Sequence, residues 1–326
     1  MKIRYYFLVF IITNCFFSCE KEFYQNVDFD VKVLSEHIVS TIGDTIVVNS
    51  NTPITFNFIG EQPDLITFFS GEKTHEFDKK DLYEIPIEEI ESSELSFIHL
   101  PKYGVIEGTL RVFLSTDFNG LLLNDKSKDS TEIVSHKWMD VTEKCNLSKI
   151  SKLEQKTVLS IKEYLGNKLT IAFQYITDQN EKLQPTHEIL GLEIVNKLSN
   201  GDEVVIKTME MGFSPIDLFE LVNPYVSGNK SGLWNLARIK ENPSMMRIEL
   251  SQIGAPLNND WLISKPLKLN KRLADKGTGI KNTTVSLDNF DYTFVKPGVY
   301  KTTFVARNYN YKNFKEEIRV LHLKVI

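Results

Sequence analysis

Short alternating apolar segments constrain the fold of this chain more than any other feature of the sequence. Segments such as 54–58, 110–114 and 169–173 place an apolar residue at every second position. This is the period of a strand with one buried face. Turn-forming pairs such as Asn119-Gly120 and Pro297-Gly298 separate the segments. Because no long segment keeps a helical period, the sequence predicts an all-β protein built from antiparallel sandwiches.

Helical structure is predicted at two short places only. One turn is expected over Glu84 to Glu91 and another over Pro215 to Leu221. Both are too short to form a helical layer of their own, since helices in globular proteins usually run for three turns or more.

The N-terminus has the residue order of a secretory signal peptide. Lys2 and Arg4 precede an apolar run over 5–12, and the small residue Ser18 stands directly before Cys19. The run is shorter than the roughly 20 apolar residues of a transmembrane helix. We therefore expect a signal peptide over 1–18 and lipidation of Cys19. Cys15 is a weaker candidate, because Asn14 precedes it. An ordinary signal peptide and an uncleaved anchor are the alternatives.

Charge and cysteine content exclude several classes of protein. The chain has 38 Lys and Arg against 43 Asp and Glu, with a formal net charge of −5. A mildly acidic chain without a basic stretch does not favour nucleic acid as a partner. Beyond Cys15 and Cys19 only Cys145 remains, so the predicted mature chain cannot form an internal disulfide. Its roughly 300 residues are enough for two apolar cores.

Several segments resemble modules of secreted bacterial proteins. Residues 54–76 resemble the first half of an immunoglobulin-like domain common in Bacteroidetes lipoproteins. Residues 292–308 resemble the end of a PKD-type immunoglobulin-like domain, with Tyr300 at the position of a corner tyrosine. The order of segments 110–120, 138–142 and 160–175 is similar to the jelly-roll module of the cleaved-adhesin and galactose-binding-like type.

The whole chain resembles a Bacteroidetes surface lipoprotein family of unknown function. Residues 261–267 match a further motif of the jelly-roll group, although there the motif usually precedes the jelly roll. Glu20-Lys21-Glu22 resembles the signal that sends such lipoproteins to the cell surface. The resemblance implies a protein that is lipid-anchored in the outer membrane and faces the exterior.

The strand count predicts how the domains are arranged. Neither 27–95 nor 275–326 has enough strands for a seven-stranded sandwich, but together they do. We therefore expect a lipid-anchored linker over 19–26 and a split immunoglobulin-like domain of 27–95 plus 275–326. A jelly roll over 96–274 would be inserted in it, as is tolerated when the ends of an insert lie close together. The alternative is two domains in series, with the jelly roll following and a separate C-terminal cap.

No motif for catalysis is present in the sequence. A nucleophile elbow, a phosphate-binding glycine loop and a His-Glu-x-x-His motif are all missing, and the six histidines are scattered singly. We expect neither enzyme activity nor a cofactor, with one structural calcium ion as the exception to weigh. Its candidate ligands crowd one loop: Asp117, Asn119, Asp125 and Asp129. Such residues also favour turns, which is the preferred interpretation.

Exposed aromatic side chains are the best sequence signal for a ligand. The candidates for stacking against a sugar are Trp234, Tyr225, Tyr309 and Tyr311, whereas Trp138 and Trp261 are expected in a core. Trp234 is predicted to be exposed, because it follows Gly232 in a polar, turn-rich stretch.

Three functional hypotheses remain open at this point. The first is a non-enzymatic surface lipoprotein that binds glycan as an accessory to polysaccharide capture, beside an outer-membrane transporter or another envelope protein. The second is an adhesive or structural protein that binds a protein partner, which predicts a broad apolar surface instead of an aromatic cleft. The third, an unrecognised glycoside hydrolase, would require two neighbouring carboxylates.

Overall fold

The structure is a computed structural model that describes residues 27–220, 222–309 and 313–326. The predicted signal peptide, the linker and Cys19 lie outside the described residues. Two compact units divide the chain: residues 27–82 plus Leu273–Ile326 form one, and Tyr83–Arg272 form the other. Within the described ranges, no helix has the length and apolar character needed to cross a bilayer.

The first unit is an immunoglobulin-like sandwich, and nine strands of it are described. Its strands in chain order are β1 (Phe29–Val33), β2 (Ser40–Ile42), β3 (Thr45–Val48), β4 (Pro53–Gly60), β5 (Leu65–Phe69), β18 (Thr278–Lys281), β19 (Asn289–Thr293), β20 (Gly298–Tyr309) and β21 (Phe314–Val325). Single 3-10 turns lie at Ser35–His37 and Phe77–Lys79.

Two sheets of this unit enclose one apolar core. The smaller sheet has the order β1-β4-β19, and the larger has the order β18-β5-β20-β21-β3-β2. All of the pairs are antiparallel except β21 with β3. The core is rich in phenylalanine, with Phe29, Phe56, Phe68 and Phe304 at most 2% exposed. Tyr300 donates its hydroxyl hydrogen bond to the carbonyl of Lys296 at 2.8 Å, as a corner tyrosine should.

The second unit is a jelly-roll sandwich, of which twelve strands are described. They are β6 (Ile90–Lys102), β7 (Leu110–Ser115), β8 (Met139–Asp140), β9 (Gln155–Ser160), β10 (Lys168–Ile176), β11 (Thr186–Leu198), β12 (Glu203–Lys207), β13 (Ser214–Asp217), β14 (Trp234–Asn235), β15 (Met245–Ile248), β16 (Asn259–Ile263) and β17 (Leu267–Lys268). One α-helix, α1, spans Lys126–Ser135, and 3-10 turns lie at Ile87–Glu89, Lys162–Tyr164 and Thr208–Met211.

The jelly roll has an inner core between its sheets and an outer cluster on one of them. One sheet has the order β13-β16-β10-β7-β8 and the other β14-β15-β11-β6-β9, while β17 and β12 add to β10 and β11. The outer cluster joins Ile133 of α1 to Phe113, Ile216 and Trp261 of the first sheet, with Trp138 packed against it. The predicted all-β fold of immunoglobulin-like and jelly-roll sandwiches is confirmed, and Trp138 and Trp261 pack in a core as expected.

Predictions of individual helical turns and of the unit boundary were less accurate than that of the fold class. The helical turn expected over Pro215 to Leu221 is wrong, because Ser214–Asp217 pairs with β16 as a strand. Of the turn expected over Glu84 to Glu91, the 3-10 turn Ile87–Glu89 is present. The sequence interpretation missed α1, and the first unit ends at Leu82 where a boundary at residue 95 was expected.

Candidate functional site

A surface cleft of about 390 Å³ lies on the jelly-roll unit, beside the first turn of α1. One wall comes from the segment that leads into α1, and the other comes from the segment after β13. The described residues that line it are Leu123, Asn124, Lys126, Val222, Asn223, Pro224, Tyr225 and Val226. Its volume falls within the roughly 300–1,000 Å³ of small-ligand pockets.

Asp129 joins the two walls of the cleft from beneath. Its side chain, only 3% exposed, accepts hydrogen bonds from the backbone N–H groups of Leu122 at 2.8 Å and Leu123 at 3.0 Å. It also accepts one from the hydroxyl of Tyr225 at 2.7 Å. We call Asp129 and these three donors the Asp129 clamp. Since the clamp is made of protein groups alone, it sets the spacing of the walls before any ligand arrives.

Burial and the neighbouring Asp129 carboxylate raise the pKa of Tyr225 above its usual value. The hydroxyl is therefore protonated at neutral pH, where it donates to Asp129. Tyr225 itself is half-buried and lines the cleft, while its hydroxyl is held by Asp129.

The first turn of α1 positions Lys126, the charged residue in the lining of the cleft. Asp125 is the N-cap, and its carboxylate accepts a hydrogen bond from the backbone N–H of Lys128 at 3.1 Å. The hydrogen bonds and charge of Lys128 lower the pKa of Asp125, so the cap is ionised. The ammonium group of Lys126 donates to the carbonyl of Leu218 at 3.1 Å, which ties α1 to the segment after β13.

The two segments that form the walls also carry exposed apolar side chains. Leu122, Phe219 and Val222 are 56%, 57% and 81% exposed. The left-handed backbone of Leu123, with φ of 62°, also leaves a bulky residue exposed in a conformation that such residues rarely adopt. The site therefore combines aliphatic walls with the amides of Asn124 and Asn223, a cation and a tyrosine.

Of the aromatic ligand candidates that the structure describes, Tyr225 lines the cleft, and Trp234 and Tyr309 do not. The prediction that Trp234 is exposed is wrong, because its side chain is 1% exposed in the jelly-roll core. Pairing of β14 with β15 sets Trp234 opposite Ile248 on the inner face, and its indole N–H donates to the carbonyl of Asp260 at 3.3 Å. Tyr309, 46% exposed, belongs to the other unit, and Tyr311 lies outside the described residues.

Three of the four candidate calcium ligands accept hydrogen bonds from protein groups. Asp117 accepts a hydrogen bond from the Ser115 hydroxyl at 2.9 Å, and Asn119 is exposed. Asp125 caps α1, and Asp129 forms the clamp. Over the described residues, no group of three or more His, Cys, Asp or Glu side chains is placed to share a metal ion. Turn and cap chemistry accounts for the positions of Asp117 and Asp125, and the clamp accounts for that of Asp129.

Two histidines that the sequence left as bystanders form a buried pair. His99 on β6 and His187 on β11 are 1% and 0% exposed, and Nε2 of His99 lies 2.9 Å from Nδ1 of His187. The backbone N–H of Ser148 donates to Nδ1 of His99 at 3.1 Å, and Nε2 of His187 reaches the Thr109 hydroxyl at 2.9 Å. Both imidazoles are therefore neutral. Each donates one hydrogen bond, His99 to His187 and His187 to the Thr109 hydroxyl.

A buried carboxyl in the same interior was also missed. Asp260 is 2% exposed, and its Oδ2 atom has no hydrogen-bond partner among the described residues. Burial and the charge of Asp217 raise the pKa of Asp260 to about 9, so this side chain is a neutral acid at pH 7. Its place in a strand with one apolar face gave no sign of burial, because an aspartate there normally points to solvent.

The fold thus defines an all-β protein of two sandwich units, one immunoglobulin-like and one a jelly roll. Residues 18–213 match the family described as "Domain of unknown function (DUF5017)", and the chain belongs to this family. The match includes Lys126 and Asp129 but ends before Tyr225. Neither a curated protein nor a solved structure matches the chain.

Proposed function

We propose that the protein is a non-enzymatic glycan-binding lipoprotein of the bacterial cell surface, and that the cleft beside α1 is its binding site. The observation that carries the proposal is the clamped cleft, which Asn124, Asn223 and Tyr225 line together. A preformed site loses less entropy on binding than one that the ligand must order.

The lining of the cleft has the chemistry that a sugar ring requires. A pyranose offers apolar C–H faces and a rim of hydroxyl groups. Val222, Val226 and Pro224 supply apolar contact surface. The amides of Asn124 and Asn223 can each donate to and accept from a hydroxyl. At about 390 Å³, the cleft is of a size for a short stretch of a polysaccharide.

The location of the protein is proposed from its N-terminal sequence. Ser18-Cys19 supports a lipid anchor, and Glu20-Lys21-Glu22 supports export to the outer face of the outer membrane of a Bacteroidetes cell. In that place a glycan-binding protein would act as an accessory to polysaccharide capture, beside an outer-membrane transporter. No enzyme activity and no cofactor are part of the proposal.

Affinity electrophoresis of residues 20–326, the predicted mature chain without its lipid cysteine, tests the proposal. The gels would contain plant, host and microbial polysaccharides in turn. We expect at least one polysaccharide to retard the protein, and expect the Asn124→Ala/Asn223→Ala variant to migrate freely. Tyr309→Ala is the matched control, since Tyr309 is an exposed aromatic of the other unit. Loss of retardation in Tyr309→Ala alone would move the site to the immunoglobulin-like unit. No retardation by any polysaccharide would overturn the proposal.

The exposed apolar rim favours a second candidate, capture of a protein partner. Leu122, Phe219 and Val222 are exposed apolar side chains of the two wall segments, and protein interfaces bury side chains of this kind. Co-purification from the cell envelope distinguishes the two functions. If an envelope protein is recovered with the wild type but not with Val222→Asp, and no polysaccharide is retarded, the adhesive function replaces glycan binding.

A further inference from the structure

The described lining of the cleft carries a single positive charge. Of the described residues that line it, Lys126 is the only one with a charged side chain. The hydrogen bond from its ammonium group to the Leu218 carbonyl restricts the motion of the side chain. Little of its side-chain entropy remains to be lost when a ligand binds.

Acidic groups near the cleft have partners of their own. The Asp125 carboxylate lies 3.2 Å from the ammonium of Lys128, in addition to capping α1. Glu220 accepts a hydrogen bond from the backbone N–H of Val222 at 2.7 Å. Asp129 lies beneath the surface with three donors. None of these carboxylates is among the described residues that line the cleft, whereas Lys126 is.

We propose that the glycan bound in the cleft is acidic, with a carboxylate or sulfate group that pairs with Lys126. This inference rests on the proposed function and names its ligand class. Lys126 has two further N–H donors beyond the one that Leu218 accepts. Asn124 and Asn223 stand beside it in the lining, so an anionic substituent would meet the ammonium together with an amide donor. A neutral sugar would leave the cation without a counter-charge.

Matched pairs of polysaccharides test the charge requirement. Polygalacturonate and its methyl ester differ in the carboxylate, and dextran sulfate and dextran differ in the sulfate. Affinity electrophoresis of residues 20–326 in each of these four gels gives a dissociation constant from the retardation. We expect the charged member of at least one pair to bind about tenfold more tightly than the neutral member, because hydrogen bonds to charged groups are the stronger ones. Whichever pair responds identifies the anion.

Variants of two lysines separate a specific contact from general attraction. Lys126→Met should weaken binding of the charged polysaccharide by about tenfold. Lys137→Met removes the same charge from an exposed position outside the cleft lining and should change it by less than about twofold. Thermal unfolding of both variants shows that each is folded.

The outcomes distinguish this inference from the proposed function. Equal affinity for the charged and neutral members of both pairs, unchanged in Lys126→Met, would overturn the acidic ligand and leave glycan binding in place. An equal loss in Lys126→Met and Lys137→Met would also overturn it, since the attraction would then be nonspecific. Retardation by no polysaccharide in either pair or in the wider panel would overturn both proposals.

Discussion

The interiors of the two units are built on different principles. In the immunoglobulin-like unit, the rings of Phe56, Phe68, Phe290 and Phe304 contact one another with centroids 4.9–6.5 Å apart. The jelly-roll interior is also mainly apolar, but it holds the His99–His187 pair and the neutral Asp260. One core is stabilised by aromatic packing, and the other includes groups that change charge with pH.

The two interiors show two ways in which a β-sandwich can be stabilised. Burial of apolar surface is non-directional and nearly independent of pH. A buried hydrogen-bonded chain is directional, and through Ser148 and Thr109 it fixes the loops that meet His99 and His187. The jelly roll loses stability for each buried titratable group and gains defined loop positions. Variants in each unit should therefore respond differently to pH.

The largest effect is expected from Asp260→Asn. Asp260 has a pKa of about 9 in the folded protein and 3.8 as its ordinary value. Between these values the unfolded chain ionises while the folded protein keeps the proton, so stability falls as pH rises, by about 1.4 kcal/mol per pH unit. Asparagine matches the shape of the neutral acid and removes this loss. We expect the variant to gain about 5 kcal/mol in free energy of unfolding at pH 8 and almost nothing at pH 4.

Urea unfolding followed by tryptophan fluorescence measures the gain. All three tryptophans lie in the jelly-roll unit, so their emission reports on that unit. Asp178→Asn, at an exposed position, is the control and should change the free energy of unfolding by less than about 0.5 kcal/mol. A gain of equal size at pH 4 and pH 8 would show that ionisation of Asp260 is not its cause.

Phe304→Ala tests the apolar core of the other unit. Phe304 is 0% exposed and contacts Phe56, Phe58 and Phe68. Its truncation should lower the free energy of unfolding by about 4 kcal/mol, equally at pH 5 and pH 8. Amide hydrogen exchange in peptides from β20 and β21 measures the loss. Phe314→Ala, where the ring is 54% exposed, should leave exchange nearly unchanged. A loss that depends on pH would contradict the contrast between the two cores.

The sequence was sufficient for the fold class because strand periodicity is a local signal. Alternation within β4, β7 and β10, with turn residues between them, predicts sandwiches without any long-range information. The position of Tyr300 was predictable for a similar reason, because its partner Lys296 is four residues away. α1 was missed because Asp125, its N-cap, was interpreted only as a turn residue or a metal ligand.

The site could be predicted only in part, since it depends on distant pairing. Tyr225 and Asp129 were each singled out, but for unrelated roles, and their hydrogen bond spans 96 positions in the chain. The predicted exposure of Trp234 was wrong because flanking turn residues indicate exposure, whereas pairing of β14 with β15 decides on which face of the sheet the ring lies. The His99–His187 contact spans 88 positions and has no local signature.

Mild acid should destabilise the jelly-roll unit through its histidines. Burial lowers the pKa of His99 to about 4, and burial with the neighbouring His99 lowers that of His187 well below 6.5. As pH falls below 6.5, the histidines of the unfolded chain bind protons that those of the folded protein do not bind. The free energy of unfolding therefore falls. Asp260 offsets one of the two histidines. The net loss between pH 6.5 and 5 should be about 1 kcal/mol in the wild type, and about 3 kcal/mol in Asp260→Asn.

Urea unfolding at several pH values, again followed by tryptophan fluorescence, gives both slopes. His322→Gln, at an exposed position of β21, should leave them unchanged. If the wild type and Asp260→Asn have the same slope between pH 6.5 and 5, the assigned titrations of Asp260 or of the histidine pair are wrong.

The smallest effects come from two tyrosine hydroxyls, one in each unit. Tyr225 donates to the Asp129 side chain and Tyr300 to the Lys296 carbonyl, so replacement by phenylalanine removes one hydrogen bond in each case. Each replacement should lower the free energy of unfolding by about 1 kcal/mol.

The regions affected should differ between the two variants, because the hydrogen bond of Tyr225 joins segments far apart in sequence and that of Tyr300 closes a local turn. In Tyr225→Phe, we expect faster amide exchange over both 118–125 and 218–226. In Tyr300→Phe, faster exchange should be confined to residues near 296–300. If Tyr225→Phe leaves exchange unchanged over 118–125 and 218–226, the Asp129 clamp does not hold the cleft open, and the preformed site on which glycan binding was argued loses its structural basis.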